Sequence, residues 1–343
     1  MTDDGSVIVV RGGEVRALLT GREKELIRTV KVAYEAHRDG ESVLPHSSFL
    51  LFPGQPRDRI IALPGYLGGE SNIAGIKWVS SFPGNVQHGV ERASAVVILS
   101  SPLTGRPEAI IEGSVISAKR TAASAALAAE CVLQGSEVTS VGLIGCGLIN
   151  FEVARFLLEI FPTVSRLIVC DQVVGRAEQF RNKCRHTFGQ TAVDTVTSAE
   201  DVLRSATLTS LATSASTPYI NHVGECMPGS MLLHISLRDL TPDVILDCDN
   251  IVDDVDHVCR AETSIHLTEK LVGHRDFIRC TLGDILGSRA ATRDNRKRVV
   301  VFSPFGLGIL DLAVGKLVLD LASRDCLERR IDSFIPRPWQ EDA

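Results

Sequence analysis

No stretch of the 343-residue sequence reaches the roughly 20 consecutive apolar residues that a membrane-crossing helix needs. The opening residues, Met1-Thr2-Asp3-Asp4-Gly5, are acidic and lack the apolar core of a signal peptide. Positive charge is not in excess. The formal net charge is −6, so electrostatics give no reason to expect nucleic acid or an anionic membrane. The nine cysteines are scattered, odd in number and nowhere form C-x-x-C. They read as reduced and mostly structural, which predicts a cytoplasmic protein. Internal repeats and low-complexity tracts are lacking too. What remains is a chain long enough for two domains at about 150 residues each, with 44% hydrophobic residues to fill their cores.

The most informative segment is Val141-Gly142-Leu143-Ile144-Gly145-Cys146-Gly147-Leu148-Ile149-Asn150. The apolar run Val138 to Ile144 predicts a buried parallel strand. Gly145 and Gly147 then permit a tight turn and a close approach of backbone to a phosphate. From Asn150 the spacing is helical, and the amides that open this helix, at Leu148 and Ile149, would face a pyrophosphate. A second apolar strand ends on Asp171. A carboxylate there accepts ribose hydroxyls and repels a 2′-phosphate, which favours NAD over NADP. The motif departs from the usual form in that Asn150 stands where a third glycine is common. The bland reading is a glycine turn that binds nothing, but strand, turn, helix, strand and terminal acid occur in the right order.

The expected fold class is α/β: a Rossmann dinucleotide-binding domain plus an α+β domain for substrate binding and dimerisation. Residues 136–303 form the first, with strands at Val138–Ile144, Arg166–Cys170, Leu208–Ala212, Ser230–Ile235, Ile251–Val255 and Val299–Phe302. Residues 1–135 plus 304–343 form the second. Its strand candidates are 7–11, 48–52, 59–64, 74–79, 95–99 and 107–111, separated by turns such as Pro53-Gly54 and Pro83-Gly84. An alanine-rich helix is expected from Ser117, as its cap, to Gln134, before Gly135. A last helix, Leu307 to Ser323, lies outside the Rossmann count and needs an apolar surface to cover.

Single residues carry chemistry against this pattern. Lys77 sits inside an apolar strand, where an ammonium must pair or lower its pKa; the bland alternative is a strand-edge lysine in solvent. Arg120, expected in the first turn of the alanine-rich helix, is disfavoured there by the helix dipole. A local anion would explain it, and a guanidinium suits a carboxylate clamp. Asp239 follows a strand ending near Ser236, at the carboxyl edge where ligands bind in such sheets; a helix N-cap is the alternative. Thr213 lies at a similar strand end and is an expected cofactor contact. Gly306 permits close approach near a nicotinamide. The Asp253-Asp254-Val255-Asp256-His257 run puts acids on both faces of a strand end, which argues against a metal site. Trp78 is expected to pack in the core.

These residues together resemble the ornithine cyclodeaminase/μ-crystallin family over nearly the whole chain. The likeness rests on Gly75-Ile76-Lys77-Trp78-Val79, Ser117-Ala118-Lys119-Arg120-Thr121-Ala122-Ala123, Gly145-Cys146-Gly147, Ala212-Thr213 with Pro218, and Gly306-Leu307-Gly308-Ile309-Leu310-Asp311-Leu312-Ala313. A narrower likeness, carried by Leu44-Pro45-His46-Ser47, Ile60-Ile61-Ala62-Leu63-Pro64, Ile235-Ser236-Leu237-Arg238-Asp239-Leu240 and Asp256-His257-Val258-Cys259-Arg260-Ala261-Glu262-Thr263, is to the branch that makes L-2,3-diaminopropionate. The resemblance implies NAD-dependent oxidation and hydrolysis of N-(2-amino-2-carboxyethyl)-L-glutamate, a homodimer, and no metal. It implies that Lys77 and Asp239 are catalytic and that Arg120 binds a substrate carboxylate. Thr121 and Ser236 fall among the expected cofactor contacts. Because that substrate carries three carboxylates, Arg92, Arg238 and His46 are further expected substrate contacts. The alternatives are ornithine cyclodeamination, reduction of a cyclic imine or 2-oxo acid, or a nucleotide-fold protein that binds without turnover. Retention of Lys77, Arg120 and Asp239 together weighs against the last.

Overall fold

The computed structural model describes residues 5–325, 327 and 329–336. It divides into two units, one formed by residues 1–120 and 307–343 and the other by residues 121–306. In chain order the elements are β1 (Val7–Val10), α1 (Gly12–Leu19), α2 (Glu23–Arg38), β2 (Ser42–Val43), β3 (Ser48–Phe52), β4 (Gln55–Leu67), β5 (Ile73–Ser81), β6 (Ala93–Ser100), β7 (Pro107–Glu112) and α3 (Ser114–Val132). They continue with β8 (Ser140–Ile144), α4 (Leu148–Ile160), β9 (Arg166–Cys170), α5 (Val174–Phe188), β10 (Ala192–Thr195), α6 (Ala199–Ser205), β11 (Leu208–Leu211), β12 (Met231–His234) and α7 (Pro242–Asp247). The rest are β13 (Asp249–Val252), α8 (Val255–Val258), α9 (Ser264–Val272), β14 (Ile278–Thr281), α10 (Leu282–Leu286), β15 (Val300–Ser303), α11 (Gly308–Arg324) and β16 (Arg329–Ile331). No helix among the described residues is long and apolar enough to cross a membrane.

The first unit holds an eight-stranded sheet in the order β16-β1-β7-β6-β5-β4-β2, with β3 also on β4. Its pairings are antiparallel apart from β1 on β7. Period-2 alternation sorts its two faces. Leu63, Leu67, Ile73, Lys77, Val97, Leu99, Ala109 and Ile111 are buried on the inner face. Helix α11 lies over that face at β4, β5 and β6. Small residues permit the close approach. A Cβ on Gly308 would stand 3.1 Å from Leu63 O, and one on Gly75 would meet Ile98 O at 2.2 Å and Leu312 at 3.0 Å. The outer face carries Ile76, Val96, Ile98 and Ile110, all partly exposed. Trp78 stands on it, 42% exposed. The expectation that Trp78 packs in the core is therefore overturned. It neighbours the buried Lys77 in sequence, so the pleat turns it to the opposite face.

The second unit is a fully parallel eight-stranded sheet in the order β10-β9-β8-β11-β12-β15-β13-β14. Strand order reverses between β8 and β11, the position where doubly wound sheets bind ligands at their carboxyl ends. All six strands expected from apolar runs are present: β9 has the expected bounds, β8, β11 and β12 are shorter, β13 starts and ends earlier (249–252 against 251–255), and β15 is displaced by one residue. Two short edge strands, β10 and β14, join them.

The alanine-rich helix begins at Ser114, not at Ser117 as expected. The Glu112 carboxylate caps it, accepting from Ser114 N at 2.7 Å and Val115 N at 3.2 Å. That satisfies amides the helix start would otherwise leave open and places a negative charge at the positive end of the dipole. Arg120 therefore sits in the second turn rather than the first.

Candidate active site

In the first unit, Lys77 and Arg120 converge on a carboxylate that the sequence reading did not single out. Lys77 Nζ donates to Asp311 Oδ2 at 2.6 Å, and Arg120 Nε donates to Asp311 Oδ1 at 3.1 Å. Lys77 Nζ also lies 3.4 Å from Ser117 Oγ. Strand β5 supplies the lysine, α3 the arginine and α11 the acid. Asp311 is fully buried, Lys77 2% exposed and Arg120 8% exposed. Burial, then the Arg120 charge, lower the Lys77 pKa to about 8, although Asp311 holds it up. Two cations on one anion leave a net positive charge in a nearly dry place. That is the environment a substrate carboxylate completes. One signal for Asp311 was legible: it is a lone acid in the otherwise apolar first turns of α11.

The second unit holds the glycine turn. Gly145 has φ +93°, and a Cβ on it would lie 2.5 Å from Ala212 O. Asn150 explains the departure from three glycines. Its Nδ2 donates to Ile144 O at 2.9 Å and Gly145 O at 2.7 Å, while its Oδ1 accepts from Ser210 Oγ at 2.7 Å. A buried amide thus pins the turn to β8 and β11. Gly147 is the N-cap of α4 and offers no capping side chain, so the amides of Leu148 and Ile149 have no cap from it. A Cβ on Gly147 would meet nothing within 4 Å. Asp171 Oδ2 accepts from Cys146 N and Oδ1 from Val173 N, each at 2.9 Å. Lone pairs remain on both oxygens for ribose hydroxyls. An open glycine, helix amides without a side-chain cap and an acid fixed beside them fit a dinucleotide.

This geometry separates two glycine substitutions. Gly147→Val should weaken NAD by at least about tenfold and leave the melting temperature unchanged, because its side chain enters the space a pyrophosphate would take. Gly145→Ala should instead cost stability, about 1–2 kcal/mol from the left-handed backbone alone. Tryptophan-quenching titration and thermal unfolding check both; a Gly147→Val protein with wild-type NAD affinity would show the turn not to be the phosphate site.

Asp239 is also fully buried. Its Oδ1 accepts from Thr213 Oγ1 at 2.5 Å and its Oδ2 from Ser236 Oγ. His234 Nε2 stands 3.2 Å from Asp239 N and 3.3 Å from Oδ2, and His234 Nδ1 lies 3.1 Å from Ser303 Oγ. Burial pushes the carboxyl up, but the His234, Ser236 and Thr213 contacts outweigh it, so its pKa lies below the ordinary value. The Thr213 and Ser236 hydroxyls, expected at the cofactor, donate to this carboxylate. Burial, then Asp239, push the neighbouring Tyr219 phenol up.

His46 is exposed between β2 and β3, and Arg92 precedes β6. Arg238 Nη2 donates to Ala261 O at 2.5 Å. Leu237, Ala261 and Glu262 nearby all have left-handed φ, at 66°, 54° and 55°. Thr121 is half-buried in α3. Gly306 has φ +91°, and its amide donates to Asp253 Oδ2 at 2.7 Å while Phe305 N donates to Oδ1 at 2.8 Å. Asp253 thus holds the turn after β15, a part sequence spacing did not show. Among the described residues no three His, Cys, Asp or Glu side chains are grouped to hold a metal ion.

The profile of the ornithine cyclodeaminase/mu-crystallin family matches residues 14–325. N-((2S)-2-amino-2-carboxyethyl)-L-glutamate dehydrogenase of Staphylococcus aureus is 28% identical over 298 residues, covering 85% of this chain and 88% of that protein. Among solved structures, CmnK superposes with a TM-score of 0.87 at 28% identity, covering 96% of this chain and 99% of that one. Delta(1)-pyrroline-2-carboxylate reductase of Thermococcus litoralis, solved with NADH and L-proline, superposes with a TM-score of 0.88 at 23% identity, covering 95% and 100%.

Proposed function

The chain belongs to the ornithine cyclodeaminase/mu-crystallin family, and we propose that it is an NAD-dependent dehydrogenase acting on the secondary amine of N-(2-amino-2-carboxyethyl)-L-glutamate. The products are L-2,3-diaminopropionate and 2-oxoglutarate, with water consumed and NAD reduced, and they suit siderophore or peptide-antibiotic assembly. The observation that carries this reading is the buried Lys77–Arg120–Asp311 cluster, with one positive charge in excess. The Staphylococcus aureus relative supports the choice of substrate.

The turn Gly145–Ile149 and Asp171 would hold NAD, which when bound supplies the two-electron oxidation of the amine. Arg120 and the Lys77 ammonium bind the carboxylate next to the reacting carbon. Lys77 then donates a proton from Nζ to the departing nitrogen of 2,3-diaminopropionate. Asp239 keeps a negative charge at the end of β12 and orients the groups that handle water. The protonated Lys77 is the competent form, so kcat/KM should fall as pH rises through about 8. Lys77→Arg should lower kcat and remove that falling limb. A limb unchanged in Lys77→Arg would assign the titration elsewhere.

The direct test mixes the protein with NAD and N-(2-amino-2-carboxyethyl)-L-glutamate and follows NADH and 2-oxoglutarate. L-Ornithine and L-proline run in parallel. Turnover of the conjugate alone supports the reading. Proline and ammonia from ornithine would make it a cyclodeaminase, and NADH from proline an imine reductase.

We also propose a homodimer through the outer face of the first unit, where Trp78, Ile76, Val96 and Ile98 leave an apolar surface. Light scattering should give about twice 37.1 kDa. Trp78→Asp should shift it toward the monomer, and a monomeric wild-type protein would refute the assembly.

A further inference from the structure

Beyond Lys77 the inner face of the first unit's sheet continues along β5 to Val79 and Ser81. Cross-strand pairing sets Ile61 and Ala95 beside Val79, and Arg59 opposite Ser81. These positions are partly exposed, unlike Leu63, Lys77 and Val97. The strip ends on two guanidinium groups. Arg59 Nε is buried with no hydrogen-bond partner. Arg92, just before β6, reaches Ser81 Oγ with Nη1 at 3.5 Å. Neither arginine has an ion-pair partner among the described residues. Arg92 is exposed by area, yet the protein around its guanidinium, and then the Arg59 charge, depress its pKa. Two like charges set side by side, one with an unsatisfied buried donor, cost stability unless an anion joins them.

We infer that Arg59 and Arg92, with Ser81, form a second carboxylate receptor on the Lys77 face of the sheet. It takes a substrate carboxylate remote from the reacting carbon. The inference rests on the proposed substrate, which carries three carboxylates. Lys77 and Ser81 are four strand residues apart, about 13 Å at the strand rise, and the long side chains at either end shorten that span. The floor between the cations, Ile61, Val79 and Ala95, is apolar, as the methylene chain of an amino-acid conjugate requires. A guanidinium pair also accepts a carboxylate in forked geometry, which a lysine cannot reproduce. The receptor selects multi-carboxylate conjugates over alanine, proline or ornithine, none of which has a carboxylate to place there.

The test is calorimetric titration of the NAD-bound protein with the conjugate and, separately, with citrate. Arg59→Met and Arg92→Met should each weaken the conjugate by about tenfold to a hundredfold, the range for hydrogen bonds to charged groups. KM should rise more than kcat falls, and NAD affinity should stay unchanged. Arg92→Lys should recover part of the loss. Wild-type affinity for the conjugate in both Met variants, with NAD binding intact, overturns the receptor and leaves the proposed reaction standing. A wild-type protein that neither binds nor turns over the conjugate overturns the proposed reaction instead. Citrate then decides the receptor: binding lost in both Met variants supports it, and binding unchanged in them overturns it.

Discussion

Asp311→Asn should cost about 3–5 kcal/mol of unfolding free energy at pH 6, as expected when one partner leaves a buried ion pair, and should stop turnover of any carboxylate substrate. Asp311 is fully buried and receives Lys77 at 2.6 Å and Arg120 at 3.1 Å. Removing its charge leaves two cations facing each other without water. The deficit should depend on pH in a definite direction. Lys77 has its folded pKa depressed from 10.5 to about 8, so the unfolded chain binds more protons between those values and stability rises with pH across them. Without Asp311 the lysine pKa falls further. The variant then gains on the wild type from its own lower pKa up to about 8, and the deficit is smaller at pH 9 than at pH 6. Urea titrations at the two pH values measure this. An equal deficit at both would detach Asp311 from Lys77.

The pair also marks where reading the sequence stops. Lys77 and Asp311 are 234 positions apart. Each stands out alone, a lysine in an apolar strand and an acid in an apolar helix. Their meeting depends on α11 packing tightly on β5, which spacing cannot show. Local signals fared better. The β8 turn, Asp171 and the six main strands of the parallel sheet follow from apolar runs, three of which end at a glycine or an acid: β8 at Gly145, β9 at Asp171 and β13 at Asp253. The strands β10, Ala-Val-Asp-Thr, and β14, Ile-Arg-Cys-Thr, did not stand out. As edge strands they need to bury little, and each has a single buried residue. The start of α3 was misplaced because its cap comes from Glu112, outside the helix, and not from a serine or threonine at the N-cap. Arg59 carried no local signal at all. A charged residue in a strand is ordinary until its partners are seen to be lacking.

Asp239→Asn should lower kcat by about 100-fold, the loss that a misplacement of about 1 Å brings, with NAD affinity unchanged. The carboxylate accepts from Thr213 Oγ1 and Ser236 Oγ on separate oxygens. An asparagine can accept from one of them, but its NH2 then confronts the other. The hub joins the ends of β11 and β12 to His234 and, through it, to Ser303 on β15. Loosening one contact shifts the rest. Stability should report the same chemistry at acid pH. The folded pKa of Asp239 lies below the unfolded 3.8, so its charge stabilises the fold above that value. That contribution is lost as pH falls through the folded pKa, and Asp239→Asn lacks this acid limb. The variant should therefore lose less stability than the wild type below pH 4. The kinetic and acid-stability results together decide the residue's role. If kcat drops while the acid limbs of the two proteins coincide, the buried carboxylate is protonated in the wild type and acts as an acid, not as the anion the geometry describes.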